Sequence, residues 1–374
     1  MISLQRLPAS LTPLDVALAA LLGGLEPVAP VAVPLAQSLG CVAAEMPPLA
    51  AYPAQDIAAC DGWAFCASDL VGASSYAPLP LAALPVWVEA GDRMPAGCDC
   101  VIDADLLEQI GPLVQVLAEA IPGQGVRRGG SDIGEGQSVV VAGRRVRRID
   151  LSMAHALGLA TLNVRVPRLR LVDSPARLGD THTARLIAEL AGGAGTGFVE
   201  VSARGRDAAS LADAMDVNAC DLLMTIGGSG VGRTDATIEA LARRGEVIAH
   251  GIALQPGRTA AVGRIGPVPV IALPGAPDQA LAAWLMLVLP VMRRLAGLAP
   301  QRHAVTLPLA SKIASDVGMT DLVLLERTGD QWSPLATGEV SLRTIARADA
   351  WLAVPAAAEG FAAGASVDAY MLRD

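Results

Sequence analysis

Two glycine-rich turns carry residue types that can hold phosphate. The first runs Ile226-Gly227-Gly228-Ser229-Gly230-Val231-Gly232-Arg233-Thr234-Asp235. It joins an apolar run to a helix-forming stretch, so backbone N–H groups and a positive helix end meet there. Glycine lets the main chain come close to a phosphate. The order of residues is neither a Walker loop nor a GxGxxG fingerprint, and a plain strand-to-helix turn accounts for it equally well. The second turn, Leu273-Pro274-Gly275-Ala276-Pro277-Asp278, again follows an apolar run. Ligands of open α/β sheets gather outside the carboxyl ends of strands, so two such turns could line one crevice. Pro277-Asp278 also reads simply as a helix start. Two further segments bring charge. Cys60-Asp61-Gly62-Trp63-Ala64 sets a carboxylate beside a glycine, which is also the composition of an ordinary turn. Arg127-Arg128-Gly129-Gly130-Ser131-Asp132-Ile133, continuing to Gly136 and Ala142-Gly143, reads as an anion-binding hairpin or as a solvated face.

The elements that must position these residues change along the chain. Thr12 as a cap, Pro13 at the first helical position and Asp15 predict a helix over 16–22 that Gly23-Gly24 stops. Residues 27–123 have short apolar runs punctuated by Pro and Gly, such as Val86-Trp87-Val88 and Cys100-Val101-Ile102, and predict a β-rich insertion. A helical pattern returns over 151–158. From Arg168 onward, predicted strands at 169–172, 221–226 and 268–273 alternate with helices at 184–190, 236–243 and 278–295. That alternation implies a parallel, doubly wound sheet. Beyond Pro300 the helical period ends, and segments 322–326, 351–354 and 366–372 predict a small terminal β-domain.

Composition narrows the class. A chain of 374 residues, 52% of them hydrophobic, has material for two to four cores. Aromatics are only 3%, so those cores are packed from Ala, Val and Leu. A net charge of −9 argues against a nucleic-acid partner, which needs a basic footprint. The longest apolar run, 280–292, ends at Arg293 and is too short for a bilayer. Asp15 and Glu26 break the N-terminal apolar stretches, so a cytoplasmic protein without a membrane partner is expected. Six cysteines without a CxxC pair and four dispersed histidines show no zinc or haem spacing.

Taken together and in order, these segments resemble the molybdopterin molybdenumtransferase family, which includes bacterial MoeA and the gephyrin E domain. Cys60 to Ala64 resembles the family's Met-Asp-Gly-Tyr-Ala motif. Ala90-Gly91, Pro95 to Gly97 and Asp99 to Ile102 resemble its next segment, and Arg127 to Ile133 with Ala142-Gly143 its Arg-x-x-Gly-x-Asp-Ile stretch. The loop from Ile226 to Asp235 is similar to Ser-Gly-Gly-x-Ser-Val-Gly-x-x-Asp. Gln255 to Thr259 is similar to Lys-Pro-Gly-Lys-Pro, and Leu273 to Pro277 to Leu-Pro-Gly-Asn-Pro.

The resemblance covers nearly the whole chain. It implies a multidomain α/β plus β protein with a split N-terminal domain (1–43 and 124–166) and a β-rich insertion domain (44–123). A central three-layer α/β molybdopterin-binding domain with a parallel sheet (167–299) and a β-barrel-like C-terminal domain (300–374) complete it. It further implies a homodimer in which Asp61 and Asp132 reach Asp235 across the interface as catalytic residues. Gly227, Gly228, Ser229, Gly232, Arg258, Pro274, Gly275 and Pro277 would hold substrate phosphate or oxyanion. Asp61 and Asp235 would hold Mg2+, which takes carboxylate oxygens and bridges phosphate. The implied reaction inserts molybdate into adenylylated molybdopterin and releases AMP.

The departures fall in the same pocket. Gly230 stands where the family has a serine, Arg258 where it has a lysine, Ala276 for an asparagine and Gln279 for a serine. The family's Thr-Gly-Asp-Glu-Leu after the first strand is missing, and Asp173-Ser174-Pro175 follows directly. The alternative is therefore a non-catalytic, molybdopterin-binding paralogue that acts as scaffold or delivery protein. Its partners would be the molybdopterin adenylyltransferase or a recipient molybdoenzyme. A generic nucleotide site in an unrelated α/β enzyme is the third reading.

Overall fold

The computed structural model describes residues 5–174, 182–192, 195–299, 303–338 and 340–372. The chain divides into two compact units. One comprises Met1–Ala44, Ala142–Leu151 and Ala160–Asp374, the other Glu45–Val141 and Ser152–Leu159.

The larger unit is built on a six-stranded sheet. Its elements are β1 (Arg168–Asp173), α1 (His182–Gly192), β2 (Gly197–Ser202), α2 (Ala208–Ala214), β3 (Leu222–Ile226), α3 (Thr237–Arg244), β4 (Glu246–His250), β5 (Ala261–Ile265) and β6 (Val268–Leu273). A long helix follows as α4 (Pro277–Ala283), a π-turn (Trp284–Val288) and α5 (Leu289–Leu295). The strand order is β2-β1-β3-β6-β5-β4. The first four run parallel, as the apolar runs of β3 and β6 require of strands covered on both faces. β5 and β4 add to β6 antiparallel, a hairpin arm that the sequence reading did not anticipate.

Alternation along each strand divides the core into two layers. Leu222, Met224 and Ile226 pack with Ala184, Ile187 and Leu281 on one face. Leu223 packs with Leu211 and Leu241 on the other. The arrangement is the three-layer α/β sandwich expected. The long helix was expected to be regular over 278–295. Instead a π-turn interrupts it, and Pro290, which has no N–H and crowds the carbonyl one turn earlier, stands two residues beyond that turn.

The N-terminal helix Leu14–Leu22 lies where expected, but Thr12 does not cap it. Its backbone is taken into a parallel bridge with Ile252: Thr12 N donates to Gly251 O at 2.9 Å and its carbonyl accepts from Ala253 N at 2.8 Å. The helix's C-terminal carbonyls are satisfied from the sheet, where Arg264 Nη2 donates to Ala20 O, Leu21 O and Gly23 O. The terminal β-domain forms a sheet of Leu254–Gln255, Thr320–Thr328, Ala350–Val354, Ser366–Met371 and Val305–Pro308, with Gln331–Thr337 paired to Thr320–Thr328. Its core is centred on Trp332, which is fully buried.

The smaller unit carries two three-stranded sheets. One is Val86–Val88, Gly62–Phe65 and Cys100–Ile102, the other Leu79–Leu81, Leu113–Val116 and Leu107–Ile110. No helix among the described residues is long and apolar enough to cross a membrane.

Candidate functional site

Register brings the site together. Asp173 of β1 pairs with Ile226 of β3, and Ile226 with Leu273 of β6, so three parallel strands end side by side. The pairing continues one residue past the strands: Ser174 N donates to Ile226 O and Gly227 N to Leu273 O, both at 3.0 Å. The sequence reverses its direction across the sheet between β1 and β3, the switch point at which such sheets bind ligands.

A cleft of about 210 Å³ opens there, walled by Asp173, Ser174, Thr183, Arg206, Gly227–Gly230, Asp235, Thr259, Pro274, Gly275 and Gln279 among others. Pockets that enclose a drug-sized ligand run from about 300 to 1,000 Å³, so this one fits the phosphate end of a larger molecule.

The glycine loop is held in an open form by its neighbours. Gly227 and Gly228 both have positive φ, 79° and 69°. At Gly228 a Cβ would also stand 2.5 Å from Thr237 Oγ1, so a side chain is excluded twice. Thr237 closes the loop from α3, with N donating to Gly228 O at 3.1 Å and Oγ1 to Gly227 O at 2.8 Å. Gln5 straps it from outside. Its Nε2 donates to Gly228 O and Gly230 O, while its Oε1 accepts from Ile238 N. His250 Nε2 donates to Ser229 O at 2.9 Å.

With the carbonyls turned outward, no described group hydrogen-bonds the amides of Gly228, Ser229 and Gly230. Ser174 and Ser229, 3% and 1% exposed, have hydroxyls with no partner among the described residues. Buried polar groups are almost always paired. Here two hydroxyls and three amides converge without partners on one cleft.

Charge on the cleft wall is sparse. Asp173 and Asp235 are the two carboxylates and Arg206 the one cation among its described lining residues. Asp235 folds back on its own loop: Oδ2 accepts from Gly232 N at 2.8 Å and Oδ1 from Arg206 Nη2 at 3.4 Å. No group of three or more His, Cys, Asp or Glu among the described residues is arranged to hold a metal. Two carboxylates beside substrate phosphate are nonetheless the protein donor set that magnesium takes.

Of the residues singled out from sequence, Gly227, Gly228, Ser229, Asp235, Pro274 and Gly275 meet in this cleft, with the substituted Gly230 and Gln279. Gly232 does not line the cleft; its amide donates to Asp235 Oδ2. Pro277 opens α4 behind Ala276, which stands at the N-cap without a side-chain cap. Arg258 is exposed and does not line the cleft, although its neighbour Thr259 does. Asp61 and Asp132 belong to the smaller unit. There Asp61 Oδ1 accepts from Ala90 N at 2.8 Å, and Asp132 pairs with Arg127 at 2.6 Å. The shortened segment that begins at Pro175 lies outside the described residues. The sequence reading missed Arg206, Thr183 and Gln5. Only Asp173-Ser174 had a local signal, their position at the end of a strand.

The chain is similar to known proteins over nearly its whole length. Residues 12–158 match the model of the MoeA N-terminal region, domain I and II. Residues 169–294 match that of the probable molybdopterin binding domain. The chain is 28% identical to molybdopterin molybdenumtransferase 2 of Mycobacterium tuberculosis over 393 residues, covering 92% of this chain and 95% of that protein. It is 28% identical to the molybdopterin molybdenumtransferase of Haemophilus influenzae over 276 residues, 66% and 67% of the two chains. The crystal structure of the molybdopterin biosynthesis MoeA protein of Pyrococcus horikoshii superposes with a TM-score of 0.76 at 25% identity, covering 98% of this chain and all of that one. An α/β domain with a phosphate-sized cleft at its switch point, joined to β-rich domains, is the class that fold and site define. The chain belongs to the MoeA family.

Proposed function

We propose that this protein inserts molybdate into adenylylated molybdopterin with release of AMP, as a transferase of molybdenum cofactor synthesis. The observation that carries the reading is the pair of buried, unpartnered hydroxyls, Ser174 and Ser229, beside three unengaged amides in the cleft. Amides and hydroxyls fixed before binding suit a phosphate, since no reorganisation is needed when charge arrives. Gly228, Ser229 and Gly230 N–H groups take phosphate oxygens, and Ser174 and Ser229 Oγ donate to them. Arg206 supplies the positive charge. Thr183 Oγ1 donates to Gly275 O at 2.7 Å and so ties the second turn to the start of α1. Asp173 and Asp235 would hold magnesium, which when bound polarises a phosphoanhydride. Asp235 must leave Arg206 to do so.

The four-part domain division and a homodimer belong to the same reading, and with the dimer a role for Asp61 and Asp132. Light scattering should give twice the 38.2 kDa chain mass; a monomer at micromolar concentration removes both aspartates from the mechanism. The reading as a whole is tested by molybdate-dependent AMP release from adenylylated molybdopterin, measured beside a family member with intact motifs. Release that depends on molybdate supports it. Tight binding without release favours the second reading, a non-catalytic molybdopterin-binding paralogue, which gains from Asp235 being tied to its own loop.

A further inference from the structure

The glycine loop cannot hold its own shape. Four of the six residues from Gly227 to Gly232 are glycine, and a peptide flanked by glycine turns over with little steric resistance. Each amide offered to a ligand therefore has to be aimed from outside the loop. In a trans peptide the carbonyl of one residue and the N–H of the next point in opposite directions. A donor that holds a carbonyl from behind thus aims the following amide forward.

Such donors stand behind four consecutive carbonyls. Thr237 Oγ1 donates to Gly227 O at 2.8 Å, and Thr237 N and Gln5 Nε2 share Gly228 O at 3.1 and 3.0 Å. Gln5 Nε2 also reaches Gly230 O at 2.9 Å. Ser229 O is left to His250, whose Nε2 lies at 2.9 Å. A carbonyl only accepts, so this nitrogen carries a proton. Among the described residues His250 is the one side chain that fixes the Ser229–Gly230 peptide, and with it the Gly230 amide. The fold sets the ring in place. His250 ends β4, paired with Ala261 of β5. The next residue, Gly251, lies under the N-terminal segment, where a Cβ would meet Leu11, Leu7 and Pro8 at 3.0 to 3.1 Å. Gln5 belongs to that same segment, so both outside side chains are carried by one packed corner.

We propose that His250 is a positioning residue of the glycine-loop site, its imidazole N–H setting the peptide that aims the Gly230 amide at a substrate phosphate oxygen. It acts through the backbone and touches no ligand. The advantage is preorganisation: an amide already aimed when charge arrives needs no rearrangement. The inference rests on the reading of this loop as the phosphate site, and is independent of which reaction follows there.

The test uses inorganic pyrophosphate on the full chain, with affinity from calorimetry and location from the amide resonances of Gly228, Ser229 and Gly230. His250→Leu fills the ring's space without a donor. With the peptide turned away for about nine-tenths of the time, affinity falls about tenfold. The Gly230 amide resonance should then broaden before ligand is added, as motion on the microsecond-to-millisecond scale causes. His250→Gln, whose side-chain amide donates at a similar reach, should restore affinity and sharpen the resonance. Equal affinity in wild type and His250→Leu overturns the proposal, and so does an equal loss in both variants, which would make the ring packing only. Pyrophosphate that leaves the three loop amides unshifted overturns it too. Nitrogen NMR of the wild-type ring needs no variant: a proton found on Nδ1 alone is equally fatal. Molybdate-dependent AMP release is measured separately on the wild type. Its absence removes the transferase reading, while the split between the two variants still establishes the role of His250.

Discussion

Replacing Ser229 with alanine should stabilise the unliganded protein and weaken its hold on ligand. The side chain is 1% exposed and its hydroxyl has no partner among the described residues. An unsatisfied buried hydroxyl costs about 1–3 kcal/mol, and removing it returns part of that. Alanine keeps the Cβ and leaves only a void the size of one oxygen. The net gain is up to about 1 kcal/mol, a rise of roughly 1–3 °C in melting temperature. Binding moves the other way. A hydroxyl donating to a phosphate oxygen is worth about 1.5–3 kcal/mol, so affinity for adenylylated molybdopterin should fall about ten- to a hundredfold. Thr225 supplies the control. Its Oγ1 is likewise buried without a partner, but it sits within β3 and does not line the cleft. Thr225→Val should therefore stabilise without changing affinity. Differential scanning calorimetry and titration calorimetry on both variants decide the matter. If Ser229→Ala lowers the melting temperature and binds as wild type does, the hydroxyl is structural and the reasoning fails.

Gln5→Ala removes three hydrogen bonds that strap the glycine loop; affinity should fall several-fold and hydrogen exchange over 228–238 should rise, with no effect if the loop holds its own shape. Asp235→Asn removes a carboxylate from the cleft and weakens the Arg206 contact; magnesium-dependent binding should drop while the melting temperature changes by less than about 1 kcal/mol equivalent. A larger loss of stability with binding intact would make Asp235 a loop brace only. Asp150 has its pKa lowered by hydrogen bonds from the Arg147 side chain, opposed by burial and aided by the Arg147 amide. Its folded value lies below its unfolded one, so its contribution is complete above the unfolded pKa and disappears as pH falls through the folded value. Asp150→Asn should cost about 0.5–2 kcal/mol at neutral pH, the worth of a helix-start hydrogen bond. That deficit should close in urea melts below the folded pKa, and a deficit independent of pH would contradict the assignment.

The sequence shows those parts of the fold in which burial writes a pattern. β6 was legible to the residue, because a strand covered on both faces is a continuous apolar run. β2 left no such pattern: it is the sheet's edge, and Glu200 and Val199 are exposed. The β4–β5 arm was missed because Gly263 and Arg264 interrupt the run in β5. Thr12 shows local chemistry overruled, since a residue with every feature of a cap was drawn into a bridge 240 positions away. The site divides along the same line. The two glycine turns could be read because their chemistry is contiguous. Arg206, Thr183 and Gln5 could not, because nothing near them in the chain marks them, and only the fold brings Gln5 to Gly228.

The departures from the family motifs are therefore linked through geometry. A Cβ on Gly230 would stand 2.7 Å from Asp235 Oδ2, and one on Gly232 3.0 Å from the same atom. The family's serine at the first position and the observed posture of Asp235 are sterically incompatible unless the carboxylate shifts. With glycine at that position Asp235 has room to fold inward, where it takes the Gly232 amide and faces Arg206. An acidic side chain thereby occupies ground beside amides suited to phosphate. On the proposed reading, incoming phosphate would compete with it for Arg206 and repel it, so that ligand binding and release of Asp235 would be one event. In this chain the loop's glycine does more than delete a donor. On the proposed reading, it would make the carboxylate available to magnesium only once substrate has arrived.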